Sequence, residues 1–230
     1  LAPIMTTIAA NLQDVRQRLA AACQAAGRSP DAVQLLAVSK TFGPDAVAAA
    51  FAAGQRAFGE NYIQEAVAKI TALRHLPLQW HCIGPIQSNK TRLVAENFDW
   101  VHTVDQLKTA KRLSEQRPAD LAPLQVCIQV NIDGGANKSG VIPPDALTLA
   151  QAIAALPRLE LRGLMCIPEP CVDHASTLAV HQQVKALQDH LQAQGLSLDT
   201  LSLGMSADLE AAVQAGSTLV RVGTAIFGKR

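Results

Sequence analysis

Aromatic side chains are scarce: they make up 3% of the residues, and only one is a tyrosine. That shortage removes the stacking platform on which a single-stranded nucleic acid would lie. Charge of one sign is also missing. Twenty basic residues against 19 acidic ones leave a net charge of +1, which draws neither nucleic acid nor an anionic membrane. No uninterrupted apolar run nears the ~18 residues of a membrane-spanning helix. Residues 1–26 carry Asp14, Arg16 and Arg18 and lack the compact apolar stretch of a secretory signal. Leu1 is not a methionine, so the native start is left open. The five cysteines, Cys23, Cys82, Cys127, Cys166 and Cys171, are odd in number and contain no C-x-x-C pair. A disulfide framework and a cysteine zinc site are therefore not expected. Cys82, Cys127 and Cys166 lie in apolar runs and read as reduced core residues of a cytoplasmic protein.

What is present is apolar and regularly ordered. Hydrophobic residues reach 49% and charged ones 17% of 230, which excludes disorder and predicts one domain over 1–230. Ile4, Ile8, Leu12, Val15 and Leu19 recur at helical spacing, so residues 4–26 form a leading helix stopped at Gly27. Short apolar runs then alternate with longer amphipathic ones. Strands are predicted at Gln34–Val38, Arg56–Phe58, Leu78–Ile83, Trp100–Thr103, Leu124–Asn131, Leu159–Met165, Leu201–Leu203 and Thr218–Val222. Helices fall between them at Pro44–Ala53, Ile63–Leu73, Lys90–Asn97, Gln106–Gln116, Pro144–Ala155, Ala175–Gln194 and Ala207–Ala215. Strict β/α alternation with near-continuous apolar strands implies parallel pairing buried on both faces. Eight such units make an α/β fold of the (β/α)8 TIM-barrel type with an extra N-terminal helix. An open doubly wound sheet would be expected to show a glycine-rich turn after its first strand, where this chain has Val38-Ser39-Lys40.

Chemistry in a barrel sits at the C-terminal ends of the strands. Those ends carry Lys40, Glu60 with Asn61, His81 with Gly84, Thr103, Asn131, Met165, Ser206, and Arg221 with Gly223 and Thr224. By strand parity Lys40 shares a face with Leu36 and Val38. If that face is interior, partial desolvation favours the neutral amine that attacks a carbonyl. The loops after strands seven and eight read as an anion site. Ser206 would cap the following helix, Gly223 would allow close backbone approach, and Thr224 would add a hydroxyl. Arg221 only donates hydrogen bonds, so facing a pyridine nitrogen it would leave that atom unprotonated. His81 stands alone in Trp80-His81-Cys82. His174 and His181 lie near one face of a long helix without a third ligand, so no metal site is expected. Gly134-Gly135 with Lys138 reads as a polar loop in which Lys138 could meet an anion.

Several of these stretches together resemble the pyridoxal 5′-phosphate homeostasis family, also called the YggS-like or proline synthase co-transcribed family. They are Ala37–Lys40, Phe58–Tyr62, Trp80–Lys90, Gly204–Asp208 and Gly216–Gly228, in family order over nearly the whole chain. Cys82 departs from the family's usual phenylalanine, and the segment from Ile167 to His174 is short. The resemblance implies a barrel like the N-terminal domain of alanine racemase, of pyridoxal phosphate fold type III. It implies that Lys40 carries pyridoxal 5′-phosphate as an internal aldimine. It assigns Ser206, Gly223 and Thr224 to the phosphate, Arg221 to the ring nitrogen, and Asn61, His81 and Met165 to the pocket. It further implies a protein that buffers and delivers the cofactor to pyridoxal phosphate-dependent client enzymes, with no catalytic residues. Apart from the resemblance, the sequence shows no unusual exposed apolar stripe, so a cytoplasmic monomer without nucleic-acid or membrane partners is expected. The competing reading is an amino-acid racemase. Racemases of this fold set a tyrosine opposite the lysine from a second domain. Here the chain ends at Arg230 and its sole tyrosine, Tyr62, lies in the barrel. A lysine aldolase acting on a sugar phosphate would usually place its lysine on strand six, where this chain has Leu164-Met165-Cys166.

Overall fold

A computed structural model describes residues 2–135 and 139–230, with residues 2, 3 and 5 by backbone alone. Eight strands close into a parallel barrel in chain order. They are β1 (Gln34–Val38), β2 (Ala57–Glu60), β3 (Gln79–Cys82), β4 (Trp100–Val104), β5 (Leu124–Gln129), β6 (Leu159–Met165), β7 (Thr200–Met205) and β8 (Leu219–Val222). The seam closes where Leu36 of β1 lies beside Arg221 of β8. Helix α1 (Ala2–Ala25) precedes β1. Between the strands run α2 (Pro44–Ala52), α3 (Ile63–Ala72), α4 (Thr91–Asn97), α5 (Leu107–Gln116), α6 (Pro143–Ala154), α7 (His174–Ala193) and α8 (Leu209–Ala215), and α9 (Thr224–Phe227) follows β8.

Strand parity sorts the apolar residues into two layers. Leu35 and Ala37 of β1 join the large outer core between strands and helices, where Leu12, Val15 and Leu19 of α1 also pack. Leu36 and Val38 point the other way and meet Ala57, Ile83 and Leu219. Trp100, Cys127 and Met165 form a second cluster apart from the outer core. The (β/α)8 expectation and the leading helix both hold; the differences are local and have causes. β2 runs on to Glu60, because that carboxylate is buried against the ammonium of Lys69 instead of ending the strand in solvent. β7 extends to Met205 through Gly204, whose φ of +97° lets the chain turn where a Cβ would lie 2.5 Å from that of Ala212. α8 begins at Leu209, not Ala207, with Asp208 at its cap position. β5 stops at Gln129; Val130 still donates to the Met165 carbonyl at 2.9 Å, but its own bridge is with Val141. The short helix α9 takes up the expected tail.

Candidate functional site

Lys40 sits two residues beyond β1, and its position follows from how the turn there is held. The Ser39 N–H donates to the Gly59 carbonyl at 3.0 Å, which carries the strand pairing past β1. Lys69 Nζ donates to the Ser39 carbonyl at 2.8 Å and to Glu60 Oε1 at 2.9 Å. Glu60 also accepts a short bond from the Ser39 hydroxyl. Burial raises the Glu60 pKa above its ordinary value, although Ser39 and Lys69 both pull it down. On the other side of the lysine, Thr41 adopts a left-handed φ of +70°. Its N–H donates to Glu65 Oε1 at 2.6 Å, and Glu65 in turn pairs with Lys69 at 2.8 Å. Lys40 is thus set between two clamped neighbours.

The Lys40 side chain is half-buried and lines a cavity of about 480 Å³ at the C-terminal mouth of the barrel. Arg221 from β8, Ser206 after β7, and Gly223, Thr224 and Arg230 after β8 close one wall; Val38, Ile83 and Ile167 add apolar surface. Asn61, just past β2, completes the polar set, and its buried Oδ1 has no hydrogen-bond partner. Three cations line this space and, among the described residues, no carboxylate does. Burial first, and then the charge of Arg230, push the Lys40 pKa below its ordinary value. Arg230 is held in place by a bond from its Nε to the Lys40 carbonyl at 3.2 Å. Arg221 is 3% exposed. Burial lowers its pKa to about 10, so it stays charged at neutral pH.

The loop that carries Ser206 is held from three sides. Asp208 Oδ1 accepts from the Met205 N–H at 2.7 Å, and its Oδ2 lies 2.8 Å from His181 Nε2. Arg18 of α1 donates to the Ser206 carbonyl at 2.7 Å and to both oxygens of Glu210. Ser206 is therefore not a helix cap. It precedes the cap, and its hydroxyl lines the cavity because the loop is tied behind it.

Of the expected site residues, the cavity gathers Lys40, Asn61, Ser206, Arg221, Gly223 and Thr224. His81 and Met165 do not line it. Both are fully buried, Met165 against Trp100 and Cys127, and His81 between Gln79 and His102. Lys138 lies outside the described residues. Sequence reasoning missed Arg230, Glu65, His102 and Ser202. Parity within β4 puts His102 on the face of Trp100, the one signal that could have found it. The side chain of Arg230 reaches its place only through the fold of the last residues.

The class of protein is set by this barrel. The profile of the family described as alanine racemase, N-terminal domain, matches residues 8–230. The alanine racemase of Corynebacterium glutamicum shares the fold at a TM-score of 0.69 and 20% identity, over 98% of this chain and 61% of that one. Closer likenesses narrow the class. The pyridoxal phosphate homeostasis protein of Pseudomonas aeruginosa is 58% identical over 98% of this chain and 97% of its own. That of Escherichia coli is 53% identical over 98% of each. The chain belongs to the pyridoxal phosphate homeostasis protein family. PipY of Synechococcus elongatus, solved with PLP bound, matches at a TM-score of 0.84 and 39% identity, over 96% of this chain and all of that one.

Proposed function

We propose that this protein binds pyridoxal 5′-phosphate at the mouth of the barrel and holds it through a reversible carbon–nitrogen linkage to Lys40. It buffers the cofactor and releases it to client enzymes, without turning over a substrate of its own. The observation that carries this reading is the cavity lined by Lys40, Arg221 and Arg230 with no carboxylate among the described residues. That lining suits a phosphorylated, electron-rich ligand. The orphaned Asn61 Oδ1 suits a ligand hydroxyl. That PipY is solved with PLP bound supports binding of the same cofactor by this chain.

When bound, the cofactor supplies an aldehyde that condenses with a neutral amine. This chain's residues do the rest. Burial first, and then Arg230, lower the Lys40 pKa, which favours the neutral amine. Ser206 and Thr224 offer hydroxyls, and Gly223 admits close backbone approach, to anchor the phosphate. Arg221 has no proton acceptor to offer a ring nitrogen, so the ring stays a weak electron sink, as a carrier requires. The racemase alternative needs a second acid/base across the ring. Tyr62 is 55% exposed and is not among the lining residues. Cys23, Cys82, Cys127 and Cys171 are free thiols, which supports a cytoplasmic setting, where thiols stay reduced. We take the carrier to be a monomer.

The test is borohydride reduction of protein loaded with pyridoxal phosphate, followed by peptide mass mapping. The label is expected on Lys40; a label on another lysine, or none, removes the assignment. Sustained α-proton exchange of L-alanine by the loaded protein would remove the carrier reading.

A further inference from the structure

A chain of hydrogen bonds crosses the sealed interior of the barrel, and the proposed function uses only one end of it. Arg221 Nη1 donates to Ser202 Oγ at 2.6 Å and to the Ser202 carbonyl at 2.9 Å; its Nη2 donates to the Cys166 carbonyl at 3.1 Å. Ser202 Oγ lies 2.9 Å from His102 Nδ1. His102 Nε2 lies 2.8 Å from His81 Nδ1. His81 Nε2 lies 2.9 Å from Gln79 Oε1, at the start of β3. Ser202, His102 and His81 are wholly buried.

The chemistry of the two ends sets the direction. A guanidinium can only donate, so Ser202 Oγ accepts from Arg221 and its own hydrogen is free to go to His102 Nδ1. A neutral imidazole that accepts at Nδ1 carries its hydrogen on Nε2 and donates onward. His102 therefore donates to His81 Nδ1, and His81 Nε2 donates to Gln79 Oε1. An amide oxygen only accepts, so the far end agrees with the near one. Burial keeps both rings neutral: it lowers the His81 pKa to about 3 and puts that of His102 well below its ordinary value. A proton added to His81 would sit on Nδ1 and face the Nε2–H of His102, and one added to His102 would sit on Nδ1 and face the Ser202 hydroxyl hydrogen.

We propose that Ser202, His102 and His81 are positioning residues for Arg221, a one-way chain that fixes its guanidinium at the base of the cavity. The consequence for a bound pyridine ring rests on the function proposed above; the direction of the chain does not. A guanidinium tied to Ser202 and Cys166 cannot swing away to let a water or a carboxylate reach the ring nitrogen. The chain thus keeps the site a carrier and not an electron sink.

The test has two independent readouts. The first is nitrogen NMR of ligand-free protein labelled with 15N-histidine. Two of the six histidines should be Nε2–H tautomers, unchanged between pH 7 and pH 5, with a measurable coupling between one Nε2 and the other Nδ1 across their hydrogen bond. A hydrogen on Nδ1 of His102, or no such coupling, overturns the proposal even if no variant folds. The second is Ser202→Ala, which should disturb the His102 signals, shift the absorption band of the loaded protein and weaken cofactor retention about tenfold. Ser202→Thr, which restores the hydroxyl, should recover all three. A Ser202→Ala protein with unchanged histidine signals and an unchanged band also overturns it. If the unaltered protein takes up no pyridoxal phosphate, the proposed function fails, while the tautomers still decide the chain.

Discussion

Lys40 lies in the turn that Lys69 braces, and the two lysines meet opposite surroundings. Lys69 is the more deeply buried, with its side chain 5% exposed, yet it faces the carboxylates of Glu60 and Glu65. Lys40 is only half-buried, and the charges nearest its cavity are Arg221 and Arg230. Depth alone therefore does not make a reactive amine. A counter-charge turns a buried lysine into a strut, while burial without one, and then the like charge of Arg230, lower the pKa of Lys40. The strut serves the nucleophile, since Lys69 bonds the Ser39 carbonyl immediately before Lys40.

Exchanging the two lysines should separate these roles most sharply. Lys69→Met strands the Glu60 carboxylate and should cost about 3–5 kcal/mol of stability. Adding Glu60→Gln should return part of that loss, because the two sites are in contact. Lys40→Ala should abolish covalent capture yet change stability by only about 0.5 kcal/mol. Urea unfolding of the three variants checks this, and a Lys40→Ala protein as unstable as Lys69→Met would erase the contrast.

The sealed interior makes a further comparison with the mouth. His81 and His102 are neutral in the fold, whereas an unfolded imidazole takes up a proton near pH 6.5. Between about 3 and 6.5 the unfolded chain holds more protons, so stability falls as pH drops through that window. At pH 5 the loss is about 2 kcal/mol per histidine. Urea midpoints at pH 7 and pH 5 measure it, and equal stabilities would mean that the rings are not held neutral.

Smaller effects belong to the cavity itself. Ser206→Ala combined with Thr224→Ala should weaken cofactor retention about ten- to a hundredfold, while borohydride still labels Lys40. Unchanged retention in equilibrium dialysis would move the phosphate elsewhere. Arg230→Gln should raise the Lys40 pKa and slow capture at pH 7 a few-fold, with the pH profile of the capture rate displaced upward. A profile that does not move would leave burial alone as the cause.

Much of this molecule was legible in its sequence. Alternating apolar runs and amphipathic stretches specify a parallel barrel because both periodicities are local and the β/α order leaves few ways to pair. Strand parity put Lys40 on the face of Leu36 and Val38, and strand ends pointed to six of the residues that line the cavity. β2 runs two residues past the predicted end at Phe58, where the buried Glu60 meets Lys69, a partner the local sequence does not show. Ser206 misled in another way: a serine before a helical run looks like a cap, but Asp208 holds that position.

The residues alone thus determined the barrel, its leading helix and the amine at the end of the first strand, all of which follow from neighbours in the chain. Only the tertiary structure decided which polar groups face one another. Glu60 meets Lys69, Arg221 meets Ser202, and His81 meets His102 across sequence gaps that no periodicity encodes. Electrostatic environment is a property of distance in space, and closing the barrel is what sets those distances.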